Sequence, residues 1–527
     1  MFSLFLFCRL IFLVLLSKPF FLEGARILSL FPVPSPSHFH YVLPYLKNLA
    51  SLGHEITSVS PYHLKAPVSN IREILLPEVF DSFEDFIKAM TTPKSKWEYY
   101  EVTNEFVYNI TKVVLNNEEI QLKILKKENV QFDLIIVDLW KYDALYGFAA
   151  YFNAPLIGVA PCGTDWKVDE LVGNVSPISY LQSPSSYFYD LETYGGRLAY
   201  FMDQSLSWIN WHWRFAKKHE ALYKKYFPKI VDKQPLSKIV RNFSLVLVNQ
   251  HFTLGPPRPY VPNVIEVGGM HINQATKALP KELEDFIQGA GEHGVIYFSL
   301  GTNVKTESLS EDRKKILIET FESLPQRVLW KFEDDELPGK PSNVLISNWF
   351  PQQDILSHPK VRLFITHGGM QSTIESIYFG KPMLGLPFFY DQFGNMEHIK
   401  RKGLGLVLNF KDMTKDQFRD SIHRLLTEKS FEELARKTSS QYHDQPMKPR
   451  ETAIWWTHYV LRHKGAPNMQ VAGRKLNFFI YHSLDVLCTL LLAFVVILAV
   501  VVIFVINVLE MILGRQIEKN PIKLKTY

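Results

Sequence analysis

Two groups of residues carry chemistry. His38, in Ser37-His38-Phe39, follows the apolar run 27–31 and opens a helical pattern, and Asp138 closes the apolar run 134–137. A neutral imidazole can take the proton of an alcohol as that oxygen forms a new bond. A carboxylate on its other ring nitrogen fixes the tautomer and stabilises the imidazolium. Asp133 and Asp143 are rival carboxylates for the same part. A histidine at a helix start, taken singly, is more often a cap or a surface residue.

The second group spans residues 349–392. An apolar run ends at Thr366, Gly368 and Gly369 allow close backbone approach, and a helix is expected from about Met370. Free N–H groups and the positive end of the helix dipole there favour an anion, and His367 can add a donor. Glu375 on the next turn could hold a sugar diol. Trp349 presents a flat face to a base, and Gln352 can pair with polar base edges. Together these parts describe a pocket for base, ribose and phosphate. A mere tight turn accounts for the two glycines and leaves the polar residues unexplained.

Elements must bring these residues together. A strand at 27–31, a Pro/Ser loop, a helix with Phe39, Val42, Leu43, Leu46 and Leu49 on one face, and a strand at 56–59 make a βαβ opening. Strands at 134–137 and 156–159 extend a parallel sheet covered by helices on both faces. Aromatics crowd the stretch 160–230, with Trp208, Trp211, Trp213, Phe215, Tyr223, Tyr226 and Phe227 among four lysines. Core packing is the preferred reading there over an interfacial or acceptor-binding role. A proline-rich stretch at 256–262 reads as a linker, and βα alternation resumes with strands at 295–299, 328–332, 344–347, 363–366, 383–386 and 406–408. The fold class expected is α/β, two Rossmann-like domains facing across a cleft. The expected boundaries are 25–255 for the first domain, 256–280 for the linker and 281–484 for the second.

The two ends bear on the compartment. The apolar run 2–16, with small residues near 24, reads as a secretory signal peptide over 1–24. Residues 486–506 carry no formal charge and suffice to cross a bilayer, so a transmembrane helix is expected over 485–509, with a basic cytosolic tail at 510–527. Of the chain's net charge of +5, residues 515–527 and the signal hold all but one, so the part between them is nearly neutral and nucleic acid is not an expected partner. Cys8 falls in the signal and Cys488 in the span, leaving Cys162 with no luminal cysteine to pair with, read as a small buried hydrophobe. Asn109, Asn174 and Asn242 open sequons compatible with a luminal address. Lys523 and Lys525 resemble a dilysine retrieval address, giving a type I protein of the endoplasmic reticulum membrane with its bulk luminal.

The segment 349–392 also resembles the UDP-glycosyltransferase signature, matched from Phe364 through Gly369, at Ser372 and Glu375, at Pro382 to Leu384, and at Pro387, Phe388, Asp391 and Gln392. The similarity extends over nearly the whole chain and is most like the insect membrane-bound branch. It implies a GT-B fold, with the first domain binding the acceptor and the second the UDP-sugar. It also implies that Trp349 stacks on uracil, Gln352 contacts its edge, Glu375 binds ribose, and His367, Gly369 and Gln371 sit by the diphosphate. Ser299 and Gly301, in the loop after the strand at 295–299, match a phosphate-contacting position. Ser372 falls within the signature, and Asp391 and Gln392 match the pair that binds sugar hydroxyls. His38 and Asp138 match the family's catalytic positions. Gln371 stands where many vertebrate members carry Asn. Asn249 stands at the place of their donor-site arginine, which argues against glucuronate.

The expected reaction is inverting transfer of a hexose, glucose by preference, to a hydroxyl of a small lipophilic acceptor, as in detoxification. A membrane-tethered lipophile carrier is the alternative. A homo-oligomer is left open. With no Asp-x-Asp and an acidic turn at 333–336 that reads as solvated, no bound metal is expected, the helix terminus and His367 neutralising the leaving group.

Overall fold

The computed structural model describes residues 24–91, 95–184, 186 and 188–519. The expected signal up to residue 23, Cys8, Lys523 and Lys525 lie outside them.

Two parallel sheets dominate. The first has strands β1 (Arg26–Leu30), β2 (Glu55–Ser60), β3 (Ile71–Leu75), β4 (Leu134–Asp138), β5 (Leu156–Ala160), β6 (Leu245–Val248) and β7 (Val264–Glu266), in the order β3-β2-β1-β4-β5-β6-β7. The second has β8 (Val295–Ser299), β9 (Arg327–Lys331), β10 (Val344–Ser347), β11 (Val361–Thr366), β12 (Met383–Gly385) and β13 (Gly405–Val407), in the order β10-β9-β8-β11-β12-β13. This is the GT-B architecture of two facing Rossmann-like lobes.

Strands buried on both faces read as apolar runs, and β4 shows the consequence. Leu134 and Ile136 enter one core with Ile27 and with Val42 and Leu46 of the helix Pro36–Ser51, while Ile135 and Val137 enter the core on the opposite face. Pro36 suits that helix at its first turn, where its missing N–H has no intrahelical partner to lose.

Three strands were not expected. β3, Ile-Arg-Glu-Ile-Leu at the sheet edge, breaks strict alternation, and β6 is a run of only four residues, Leu-Val-Leu-Val, beyond the aromatic-rich stretch. β7 lies inside the expected linker and forms once the prolines, which cannot donate to a ladder, are passed at Pro262. The helix Pro449–His463, late in the span 281–484, returns to the first sheet. Ala453 and Val460 share a core with Ile27 and Tyr45, and Tyr45 Oη meets Thr457 Oγ1 at 2.5 Å. In the aromatic stretch, Trp211, Phe215, Tyr223 and Phe227 are core residues, whereas Trp213 is exposed.

The chain divides into a unit up to Val471 and a second from Ala472. The second unit contains the helix Leu484–Lys519, whose stretch Leu484–Ile512 is long and apolar enough to cross a membrane. It encloses the span expected at 485–509.

Candidate active site

In an open parallel sheet the strand order reverses at one point, and the loops leaving the strands there diverge to form a crevice. In the first sheet that point lies between β1 and β4, and in the second between β8 and β11. His38 follows β1 and Asp138 ends β4; Ser299 ends β8 and His367 follows β11. A cleft of about 540 Å³ is lined by residues of both lobes, among them His38, Ser299, Gly301, Trp349, Gln352, His367, Gly369, Gln371, Ser372, Glu375, Asp391 and Gln392. All the expected site residues but Asp138 line it, and Asp138 stands directly behind His38.

In the first lobe, His38 Nδ1 lies 2.8 Å from Asp138 Oδ2. Asp138 is fully buried, and its Oδ1 has no partner among the described residues. With the Nδ1 proton donated to that carboxylate, Nε2 keeps the lone pair that a base requires. The rival carboxylates are engaged elsewhere. Asp133 accepts the Arg26 N–H at 2.8 Å, and Asp143 pairs with buried Lys167 at 2.8 Å. Tyr62, Phe83, Phe86, Ile87, Met90 and Trp140 give the adjoining cleft wall an apolar, aromatic character. Cys162, partly buried, also lines the cleft, and burial pushes its thiol well above its ordinary range, which disfavours the thiolate that a nucleophile needs.

In the second lobe, the His367 imidazole is sandwiched between two glycines. A Cβ on Gly301 would stand 2.5 Å from His367 Cε1, and one on Gly369 2.6 Å from His367 Nε2. Gly301, at φ +80°, also has a backbone that L side chains resist. Ser299 Oγ accepts the Gly301 N–H at 3.2 Å and closes this turn. Burial, with Lys331 nearby, lowers His367 to about 4. The ring is therefore neutral and offers an N–H dipole, in keeping with the donor expected of it.

The helix Met370–Tyr378 begins beside this ring, and Asp391 takes the Met370 N–H at 3.1 Å and the Asn395 amide at 2.7 Å. Burial raises Asp391 to about 6. Gln392 Oε1 accepts the N–H groups of Phe388 and Phe389 at 2.8 and 3.1 Å, shaping the turn before it. Gln352 Nε2 donates to Glu375 Oε2 at 2.6 Å and to Ser372 Oγ at 3.1 Å. Trp349 is half-exposed on the cleft wall.

Several cleft residues were not anticipated. His40 and Lys65 of the first lobe approach the Trp349 ring at 5.9 and 5.1 Å. Lys331, at the end of β9, brings a cation that is ion-paired to Glu333 at 2.7 Å. Asn303 bridges the lobes, its Nδ2 donating to Ser35 Oγ at 3.0 Å. Gln371 also crosses, its Nε2 donating to the Ser37 carbonyl. Asn249 does not line the cleft: it is fully buried, and its amide donates to the Pro161 carbonyl at 2.7 Å. Among the described residues no group of three or more His, Cys, Asp or Glu is arranged to hold a metal ion.

A family model described as "UDP-glucoronosyl and UDP-glucosyl transferase" matches residues 46–519. The chain is 35% identical over 489 residues to UDP-glycosyltransferase UGT5 of Dactylopius coccus, covering 90% of each chain. It is 31% identical over 480 residues to UDP-glucuronosyltransferase 2A2 of Mus musculus, covering 86% of this chain and 88% of that one. Among solved structures, the calicheamicin glycosyltransferase CalG4 superposes with a TM-score of 0.57 at 17% identity, over 84% of this chain and all of that one (100%), a likeness of fold.

Proposed function

The chain belongs to the UDP-glycosyltransferase family, and from that premise we propose that it moves glucose from UDP-glucose to the hydroxyl of a small lipophilic acceptor, with inversion. The observation carrying this reading is that a His–Asp pair and a glycine-flanked anion site face one another across a single cleft, each at the switch point of its own sheet.

In the reading, uracil stacks on Trp349 with Gln352 at its edge, and Glu375 accepts from the ribose. The diphosphate lies at the amino end of Met370–Tyr378, beside His367, Gly369 and the Ser299–Gly301 turn. Asp391 and Gln392 face the sugar. The acceptor hydroxyl rests against the aromatic wall with its proton on His38 Nε2. As its oxygen attacks the anomeric carbon from the side opposite the diphosphate, the proton passes to His38, Asp138 stabilises the imidazolium, and the bond to UDP breaks. Attack from the opposite side accounts for inversion. The leaving charge is met by backbone N–H groups, the His367 N–H and Lys331, and no step requires a metal.

The helix Leu484–Ile512 supports a single C-terminal membrane span. A luminal body with retrieval to the endoplasmic reticulum is proposed on the signal-like start and on Lys523 and Lys525. Microsomes containing the full chain, given labelled UDP-glucose and a panel of phenols, should form glucosides. His38→Ala at equal expression should form none while still binding UDP. Turnover retained in that variant would overturn the assigned base, and acceptor binding without any glucoside from the unaltered chain would overturn the transferase reading.

A further inference from the structure

The segment between the two sheets sends one side chain into the donor half of the cleft. His271, which follows β7, is buried, lines the cleft, and places Nε2 at 3.0 Å from Glu375 Oε1. The same oxygen accepts Gln353 Nε2 at 2.9 Å, whereas Oε2 takes Gln352 Nε2 at 2.6 Å. Glu375 is thus gripped on Oε1 by residues flanking the site, and on Oε2 by the glutamine assigned to the base.

The backbone around His271 is held from several directions. Arg450, on the returning helix, donates to the carbonyls of Met270 and Ile272 at 2.8 and 2.7 Å. Tyr442 Oη donates to the Gly268 carbonyl at 2.6 Å. The imidazole packs 5.6 Å from the ring of Tyr41 on the helix Pro36–Ser51. Its Nδ1 is buried with no partner among the described residues, so Nε2 is the working nitrogen.

A glutamate has three rotatable side-chain bonds, and a carboxylate in a wet cleft gains nothing by keeping one orientation unless donors fix it. We propose that His271 is a positioning residue for the donor site. It anchors Glu375 through Oε1, so that Oε2 stays aimed at the ribose hydroxyls when Gln352 releases it and turns to the base. The anchor ties donor binding to the segment joining the lobes. This rests on the reading of Glu375 as the ribose acceptor.

The test uses the full-length chain in detergent, with UDP affinity measured by titration calorimetry and steady-state kinetics on UDP-glucose. His271→Ala should raise the Kd for UDP and the KM for UDP-glucose about tenfold, the size expected for one lost hydrogen bond to a charged group, with kcat within about twofold. His271→Gln, whose amide nitrogen reaches the place of Nε2, should recover most of the loss; His271→Asn, which mimics the unused Nδ1, should not. That pair decides the matter even if the alanine variant folds poorly. In a Glu375→Ala background His271→Ala should add little. Equal recovery by Gln and Asn, or a full additional loss in the Glu375→Ala background, would overturn the proposal, since either marks a merely structural histidine. Glu375→Ala that leaves UDP affinity unchanged would overturn the ribose reading instead, and is recognised because that single variant fails alone.

Discussion

Asp138 directs one carboxylate oxygen at His38 Nδ1 from 2.8 Å and keeps the other buried without a partner among the described residues. A carboxylate so poorly compensated is costly to bury, and its position behind the imidazole is the return on that cost. Asp138→Asn keeps the shape but can present an amide N–H to Nδ1, which moves the ring proton to Nε2 and removes the base. The expected result is a fall in kcat of about 10²–10⁴ with UDP affinity unchanged and thermal stability not reduced. Steady-state kinetics beside a thermal melt checks this, and a kcat within about threefold of the unaltered enzyme would remove Asp138 from the mechanism.

The two glycines around His367 separate backbone strain from side-chain crowding. Gly369 has φ −61°, so Gly369→Ala adds only a methyl group pressed against the imidazole. Gly301→Ala adds both a clash and a left-handed backbone. Gly369→Ala should raise the KM for UDP-glucose about tenfold or more in a folded protein. Gly301→Ala should in addition lower stability by roughly 1–3 kcal/mol. Denaturant melts of the two variants, read beside their KM values, distinguish the contributions.

Acid should loosen the fold before any carboxylate in the usual range titrates. Burial holds His54, His251, His367 and His398 at about 4 and His219 at about 3. A histidine depressed in this way contributes stability above its unfolded value of 6.5, lost as pH falls toward the folded value, because over that interval the unfolded chain binds more protons. Asp391, raised to about 6, and Glu266, raised to about 7, act in the opposite sense, giving stability that is lost as pH rises through those values. His40, His212 and His458 are lowered as well, and Asp169 and Asp203 raised, so the imidazoles outnumber the carboxylates. Scanning calorimetry should find a lower melting temperature at pH 5 than at pH 7.5. Asp391→Asn should raise the pH 7.5 value while impairing transfer, and a melting temperature that rises toward pH 5 would contradict the neutral, buried state of these imidazoles.

Much of this site is legible in local sequence because its parts are local. A strand, a glycine turn and a helix start adjoin one another around Thr366, Asp138 terminates an apolar run, and His38 opens the helix that follows another. Residues brought in from a distance are not legible. Tyr45 and Thr457 are 412 positions apart, and the apolar stripe of the helix Pro449–His463 announces a buried face without saying which sheet it covers. His40 and Lys65 approach Trp349 only because the lobes face each other, and His271 matters only because the segment after β7 crosses at the height of Glu375. Of the three aspartates near β4, only geometry separates Asp138 from one that takes a backbone N–H and one that pairs with a lysine.

Gln371 is where resemblance and geometry make different demands. Its family position puts it beside the diphosphate, yet its amide donates across the cleft to the Ser37 carbonyl, one residue before His38. If that bridge sets the approach of the base to the sugar, losing it damages the chemical step more than donor binding, because the helix terminus and His367 still hold the phosphates. Gln371→Ala should therefore lower kcat about tenfold and change UDP affinity by no more than about threefold. A main-chain acceptor cannot be deleted, so Gln371→Glu supplies the control: it keeps the length, removes the donor and sets a charge against a carbonyl, and should be worse than alanine in kcat. The reverse pattern, with KM for UDP-glucose raised and kcat intact in both variants, would assign the side chain to the diphosphate and leave the bridge without a part in the chemical step.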